Sequence, residues 1–198
     1  MKTAAASSRP YRQRARAEAA EATYNRILDA FIARLSDQWF DEITLDSLAA
    51  DAQVSVQTIV RRFGGKDGLI AAARDMLDGE ISRQRAAPPG DIDKALEQLA
   101  LDYETSGDLV MRLLAQEERY PAVRAITDYG RAHHRAWVAA VFAHQLEKWS
   151  GAEKTHRLDA LVTAADLYVW KLVRRDMKRS LAAYKKLLAR MVAGALAE

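Results

Sequence analysis

The segment TLDSLAADAQVSVQTIVRRFGGK, residues 44–66, carries the strongest structural pattern in the chain. Thr44 and Ser55 each precede a run with apolar residues at helical spacing, and both residue types are favoured at helix N-caps. The pattern predicts two short helices that residues 53–54 connect, and the second is expected to end at the glycine pair 64–65. A tight turn between two short helices, the second of them basic, is typical of a helix-turn-helix DNA-binding motif.

The second of these helices is predicted to have one buried face and one outward face. At 100° per residue, Val56, Ile59 and Phe63 fall within one apolar arc that would pack on the preceding helices. The outward side then carries Gln57, Thr58, Val60, Arg61 and Arg62. Arginine can donate two hydrogen bonds to guanine, glutamine can pair with adenine, and threonine and valine can contact a thymine methyl group. These residues are predicted to read bases in a DNA major groove; the alternative is that the two arginines are solvated surface charges.

Three further residues belong to the predicted DNA-binding site. Thr44 and Lys66 lie at helix N-termini, where backbone N–H groups and the helix dipole attract a phosphate. Ser55, the predicted N-cap of the helix expected to read bases, is the third residue added to the predicted DNA-binding site. Phosphate contacts position a protein on DNA without reading its sequence.

The composition favours a folded globular protein without catalytic chemistry. Hydrophobic residues make up 49% and charged residues 29% of the 198, and no cysteine is present, which excludes disulfides and thiolate zinc sites. His133 and His134 are adjacent and point about 100° apart on a helix, so they cannot bind one metal as an i, i+4 pair could. Phosphate loops, dinucleotide-binding turns and nucleophile elbows do not occur. The chain is therefore predicted not to be an enzyme and to hold no metal or cofactor.

The N-terminal charge and the lack of long apolar runs bear on location and partners. Residues 1–17 contain one lysine and four arginines and no acid, although the net charge is only +3. This segment is predicted to be a flexible basic arm suited to DNA phosphates; the alternative is a solvated disordered tail. No apolar run approaches the roughly 18 residues of a membrane helix, and no secretory signal pattern occurs. A soluble, cytoplasmic protein without a membrane partner is expected.

Apolar spacing and the positions of the prolines predict about nine helices and no strand. The first is predicted over residues 18–36, the two short helices follow, and a fourth begins at Lys66 and reaches at least Ile81. Five more are predicted over residues 91–105, 107–118, 120–149, 154–176 and 180–196. The segment Ala-Ala-Pro-Pro-Gly at 86–90 marks a domain boundary. We expect an all-α chain made of the arm (1–17), a helix-turn-helix domain (18–85) and a second helical domain (86–198).

The last two predicted helices carry long apolar stripes, over Leu158–Leu172 and Leu181–Ala195. Two stripes per chain suit a four-helix interface about a two-fold axis. A homodimer through these helices is therefore predicted.

From about residue 24 to residue 77 the chain resembles the TetR family of helix-turn-helix transcription regulators. The family pattern is matched by Thr44, Leu48, Ala49, Val54, Ser55, Thr58, Ile59, Phe63 and Lys66. The resemblance implies an all-helical homodimer whose last two helices pair as a four-helix bundle and whose middle helices enclose an effector pocket. It also implies a repressor that a small-molecule effector releases from a double-stranded DNA operator.

Four positions depart from the family pattern. Trp39 and Gln53 stand where the family usually has glycine, and if the backbone keeps a positive φ there, each costs about 1 kcal/mol. Val60 replaces the usual tyrosine and Arg62 the usual histidine, so operator preference is not carried over from relatives. The alternative function is a helical homodimeric interaction module that has kept the fold and lost specific DNA binding.

No motif in the second domain names an effector. Aromatic and thioether side chains with a few polar tips suit a drug-sized apolar molecule. The residues predicted to line the effector pocket are Tyr103, Met111, Tyr129, His133, Trp137 and Tyr168. The alternative is that each of them is ordinary core.

Overall fold

The computed structural model describes residues 8–197, with side chains from residue 11 onward, and these residues form helices joined by loops, without a strand. The helices are α1 (Ser8–Asp37), α2 (Leu45–Asp51), α3 (Val56–Phe63), α4 (Lys66–Gln84), α5 (Ile92–Leu114), α6 (Pro121–Val141), α7 (Ala143–Leu146), α8 (Gly151–Ala164), α9 (Leu167–Lys171) and α10 (Leu181–Leu196). A π-helical turn over Leu172–Asp176 continues α9. The predicted all-α fold class is confirmed.

α1 begins at Ser8, whereas apolar spacing predicted a start at residue 18. The described part of the predicted flexible arm, residues 8–17, is therefore helical, and residues 1–7 lie outside the described residues. Apolar spacing does not detect these turns because every side chain from 11 to 19 is exposed. Alanine and arginine, which make up six of the nine residues 11–19, are good helix formers without any buried face.

The chain divides into two compact units between Arg74 and Asp75, within α4. The first turns of α4 thus belong to the N-terminal unit and its later turns to the C-terminal unit. The boundary predicted near residue 86 lies in the loop that follows α4, which ends at Gln84. The proposed functional limits, 18–85 and 86–198, stay a prediction.

The N-terminal unit is built on one face of α1, as the apolar spacing predicts. Its central side chains, each no more than 1% exposed, are Ile27, Leu28, Phe31 and Leu35 of α1, Leu48 of α2 and Ile59 of α3. Burial of these side chains fixes both short helices on α1, since each fully buried apolar side chain contributes roughly 1.5–3 kcal/mol.

α5 is one continuous helix, whereas the sequence predicted two helices that meet at residue 106. Glycine is unfavourable inside a helix, yet Gly107 lies within α5. A Cβ at this position would lie 2.5 Å from Cη2 of Trp170, so the glycine makes room for that ring. Gly107 therefore allows α5 to pack closely against α9.

Two long predicted helices are interrupted in the structure. The segment 120–149 is divided into α6 and α7 at Phe142, which is fully buried and has φ −101° and ψ 16°. The segment 154–176 is divided before Asp166, whose carboxylate caps α9 by accepting a hydrogen bond from the backbone N of Tyr168 at 2.8 Å. Apolar residues keep their helical spacing through both interruptions, which is why the sequence pattern does not show them.

The core of the C-terminal unit surrounds Trp170 and Tyr184, both fully buried. The Trp170 indole donates to Oε1 of Glu104 at 2.7 Å, and the guanidinium of Arg174 donates to the same carboxylate. The hydrogen bond from Arg174 is the largest factor that lowers the pKa of Glu104. Ser180 caps α10, which agrees with the helix predicted over 180–196.

Candidate nucleic-acid interface

Both predicted N-caps of the helix-turn-helix segment are confirmed. The Thr44 hydroxyl accepts a hydrogen bond from the backbone N of Ser47 at 3.1 Å. The Ser55 hydroxyl accepts one from the backbone N of Thr58 at 3.2 Å and lies 2.9 Å from the Thr58 hydroxyl. These caps satisfy N–H groups that a helix leaves open and so fix where α2 and α3 begin.

The bend between α2 and α3 keeps the backbone geometry that favours glycine. Gln53 has a φ of 53° and an exposed side chain. The backbone N of Val54 donates to the carbonyl of Ala49 at 2.9 Å, which closes the bend. Trp39, the other position where glycine is usual, does not have a positive φ. Of these two positions, only Gln53 therefore carries the strain expected where a non-glycine residue replaces glycine.

The outward face of α3 lies where the angular analysis predicts it. Ile59 is fully buried, while the side chains of Gln57, Val60 and Arg61 are exposed. Thr58 is half-buried and engaged in the cap. Arg61 has no ion-pair partner among the residues that the structure describes. Three of the five predicted base-reading side chains thus form one accessible surface with a free guanidinium.

Arg62 points to α1 and not to the outward face. Its Nη1 donates to the carbonyl of Ala20 at 3.1 Å, and the side chain is half-buried. The neighbouring ring of Phe63 stacks on Tyr24 with ring centroids 4.8 Å apart. The last turn of α3 is thus fastened to α1, and Arg62 holds α3 in position.

Lys66 fastens the start of α4 to the loop before α2. Its ammonium group donates to the carbonyl of Phe40 and lies 4.4 Å from the centroid of the Phe40 ring. Burial lowers the pKa of Lys66, while Asp41 and Asp67 act in the opposite direction. The phosphate contact predicted for Lys66 stays a prediction, but the structure shows a positioning role for this side chain that the sequence did not reveal.

Two arginines of α1 that the sequence analysis did not identify hold the end of α2. Arg26 Nε donates to the carbonyl of Ala52 at 3.3 Å, and Arg34 Nε lies 2.5 Å from a carboxylate oxygen of Asp51. Their spacing of eight residues places them about 80° apart around α1 and two turns apart along it. This spacing is the only feature of the sequence that relates the two arginines, and it does not show that they contact the end of α2.

The residues predicted to line an effector pocket lie in different environments within the C-terminal unit. Tyr103 is 4% exposed and its hydroxyl donates to the carbonyl of Ala165 at 3.0 Å. Tyr129 and His133 stack with ring centroids 6.0 Å apart. Met111 and Trp137 are half-buried against the core, and Tyr168 is 54% exposed.

A buried ion pair that the sequence analysis missed brings two of these residues together. The guanidinium of Arg85 donates to Oδ2 of Asp102 at 2.7 Å, and both side chains are buried. The same guanidinium lies 5.2 Å from the ring centroid of Tyr103 and 5.5 Å from that of Trp137. An acid within the buried, apolar face of α5 is the sequence signal that could have revealed this pair, because a buried carboxylate requires a partner.

His134 lies at the edge of this cluster and stays neutral at pH 7. Its Nδ1 is 3.5 Å from Nη1 of Arg85. Burial, and then the positive charge of Arg85, lower the pKa of His134 to about 4. Neighbouring His133 instead approaches a carboxylate oxygen of Asp78 at 3.6 Å, so the two adjacent histidines have separate surroundings.

The described residues offer no group of three or more side chains suited to hold a metal ion. Within the same residues, no helix is long and apolar enough to span a membrane.

A short capped α2, a tight bend and an α3 with an exposed polar face define a helix-turn-helix motif, here followed by a larger helical unit. The chain is 29% identical over 164 residues to the HTH-type transcriptional repressor SCO4008 of Streptomyces coelicolor, an overlap of 81% of this chain and 84% of that protein. No family model matches the chain.

Two solved structures share this fold. A candidate transcriptional regulator of Pseudomonas aeruginosa PAO1 is 18% identical with a TM-score of 0.66, over 87% of this chain and 89% of that one. GusR of Salmonella enterica is 18% identical with a TM-score of 0.69, over 88% and 95% of the two chains. The names of the Streptomyces and Pseudomonas proteins describe regulators of transcription and not enzymes. This agrees with the prediction from the sequence that the chain is not an enzyme.

Proposed function

We propose that this chain is a TetR-type repressor that acts as a cytoplasmic homodimer, binds a double-stranded DNA operator through α3 and is released by a small-molecule effector. The outward face of α3 carries the proposal, because Gln57, Val60 and Arg61 are exposed opposite the buried Ile59. The caps at Thr44 and Ser55, together with the contacts of the last turn to α1, hold this face in one orientation.

The residue types on this face assign the roles. Arg61 would donate to O6 and N7 of a guanine, Gln57 would pair with an adenine, and the methyl groups of Val60 would contact a thymine. Thr44 at the start of α2 and Lys66 at the start of α4 would lie near phosphates. Only the first group reads sequence, so specificity depends on three side chains.

Duplexes that the wild-type protein enriches from a random-sequence library provide the test. Arg61→Ala is expected to lose about 1–3 kcal/mol on an enriched duplex and to relax discrimination at one base position. Equal losses on enriched and on random duplexes would show that Arg61 contacts phosphate only. If the wild-type protein enriches no sequence, the interaction-module alternative replaces the repressor.

The homodimer is proposed through the two segments predicted as the last helices, residues 154–176 and 180–196. Ala183, Leu187 and Gly194 of α10 are exposed and fall within an arc of about 40°, a surface of small and apolar residues beside the exposed Arg190 that a second copy could approach. Leu188, which belongs to the predicted stripe, is 1% exposed and faces the core of its own protomer. Leu187 rather than Leu188 is therefore the position where a charge would separate the protomers.

The effector site is proposed at the cluster around Arg85, where Tyr103 and Trp137 face a buried guanidinium. A ligand can weaken DNA binding only if it prefers one of two conformations, and the coupling between such sites is typically 1–3 kcal/mol. Compounds screened for release of an enriched duplex should quench Trp137 fluorescence, and Trp137→Phe should remove that component of the quench. Release with unchanged fluorescence would place the effector elsewhere.

A further inference from the structure

α1 extends beyond the core of its unit as an exposed helix. Every side chain from Tyr11 to Ala19 is exposed, and the first half-buried residue is Ala20. At 1.5 Å per residue, these nine positions span roughly 13 Å. A helical segment that buries no apolar face gains little from its own unit, because most helical stability in proteins comes from packing.

The charges of this extension are positive and mostly unpaired. Arg12, Arg14 and Arg16 alternate along it, and the first acid is Glu18, which pairs with Arg14 at 2.9 Å. Arg12 and Arg16 are exposed and have no ion-pair partner in the part of the chain that the structure describes. Two uncompensated guanidinium groups therefore remain on the extension.

These two arginines lie toward one flank of the face of α1 that contacts α3. Tyr24, Ala20, Arg16 and Arg12 follow one another at intervals of four residues, and each step turns about 40° in the same sense. Arg16 and Arg12 therefore lie about 80° and 120° around the helix from Tyr24, and about 40° from each other. Tyr24 stacks on Phe63, and the carbonyl of Ala20 accepts from Arg62. Arg16 and Arg12 thus lie about 6 Å and 12 Å along the axis beyond the contact with the last turn of α3.

We propose that Arg12 and Arg16 bind phosphates of duplex DNA next to the bases that α3 faces, so that the extension of α1 enlarges the DNA footprint. The proposal rests on the DNA-binding function proposed above. Guanidinium groups on an exposed helix fit a polyanion, and contacts to phosphate need no particular base. Arg14 lies about 160° around the helix from both arginines and is paired, so it takes no part.

The experiment measures affinity for a mixed-sequence duplex between 50 and 200 mM salt, in the full-length protein. Each phosphate contact contributes about 0.9 to the slope of log K against log salt. The double variant Arg12→Gln/Arg16→Gln removes four contacts from the proposed homodimer, so it should reduce the slope by about 3.6 and leave discrimination between enriched and random duplexes unchanged. Arg14→Gln, the matched control from the same helix, should leave the slope unchanged.

Each outcome decides a different point. A wild-type protein that binds neither mixed-sequence nor enriched duplexes overturns the DNA-binding function itself. Wild-type binding with an unchanged slope in the double variant overturns only the role of the extension. An equal loss of slope in Arg14→Gln overturns the assignment to the flank that carries Arg12 and Arg16, since any charge on the helix would then suffice. Circular dichroism of the two variants checks that the helix content is retained.

Discussion

Replacement of Gln53 by glycine tests the backbone of the helix-turn-helix bend. Gln53 has a φ of 53°, where a residue with a Cβ is strained by roughly 1–2 kcal/mol. Glycine removes that strain but loses more conformational freedom on folding, which costs roughly 0.5–1 kcal/mol. The side chain is exposed, so its removal costs little packing. Gln53→Gly should therefore stabilise the N-terminal unit by about 0.5–1 kcal/mol.

Amide hydrogen exchange within α3 measures the stability of this unit separately from the rest of the chain. A gain of that size corresponds to roughly two- to fivefold slower exchange at the buried Ile59 amide. Gln57→Gly is the matched control, because the same substitution at an exposed helical position should destabilise by about 0.5–1 kcal/mol and accelerate exchange. If both variants accelerate exchange, the bend stores no strain and the reasoning is refuted.

Three further predictions concern the C-terminal unit. Gly107→Ala should destabilise by about 1–3 kcal/mol in urea unfolding because its Cβ would meet the Trp170 ring, whereas Gly130→Ala, with open space around its Cβ, should be neutral or stabilising. The pKa of His134 is lowered to about 4, so the unfolded chain takes up its proton first as the pH falls below 6.5. The free energy of unfolding should drop by about 2 kcal/mol between pH 7 and pH 5, and His134→Gln should flatten that dependence. Leu187→Glu should give a folded monomer in sedimentation, since Leu187 is 37% exposed; a folded dimer would place the interface elsewhere.

Local features of the helix-turn-helix segment could be predicted from the sequence, because short-range interactions determine them. The hydroxyls of Thr44 and Ser55 cap helices through backbone groups three residues away. The buried position of Ile59 follows from the helical period alone. For Gln53 the sequence predicts strain only if the backbone φ is positive, and the structure has a φ of 53° there.

The C-terminal unit was predicted less well, because contacts between distant residues determine its helix boundaries. Gly107 lies inside α5 because the ring of Trp170, more than sixty residues away, leaves no room for a Cβ. Lys178 adopts a φ of 53° after the π-helical turn, and no local pattern marks it. The buried pair of Arg85 and Asp102 joins α5 to the loop after α4, so neither residue reveals its partner from the sequence. Apolar periodicity identifies a helix but does not show where another element interrupts it.

The arginines of the N-terminal unit show why charge in a sequence does not by itself identify a DNA contact. Arg61 and Arg62 are adjacent, yet a step of 100° directs the first to solvent and the second to the carbonyl of Ala20. Arg26 and Arg34 bind the end of α2: Arg26 contacts the carbonyl of Ala52, and Arg34 contacts the carboxylate of Asp51. A cation that is half-buried and bound to another part of the protein is less accessible to a phosphate than one that only water solvates. The exposed, unpaired Arg61 therefore remains the strongest candidate on α3 for a contact with DNA, while Arg62 holds that helix in place.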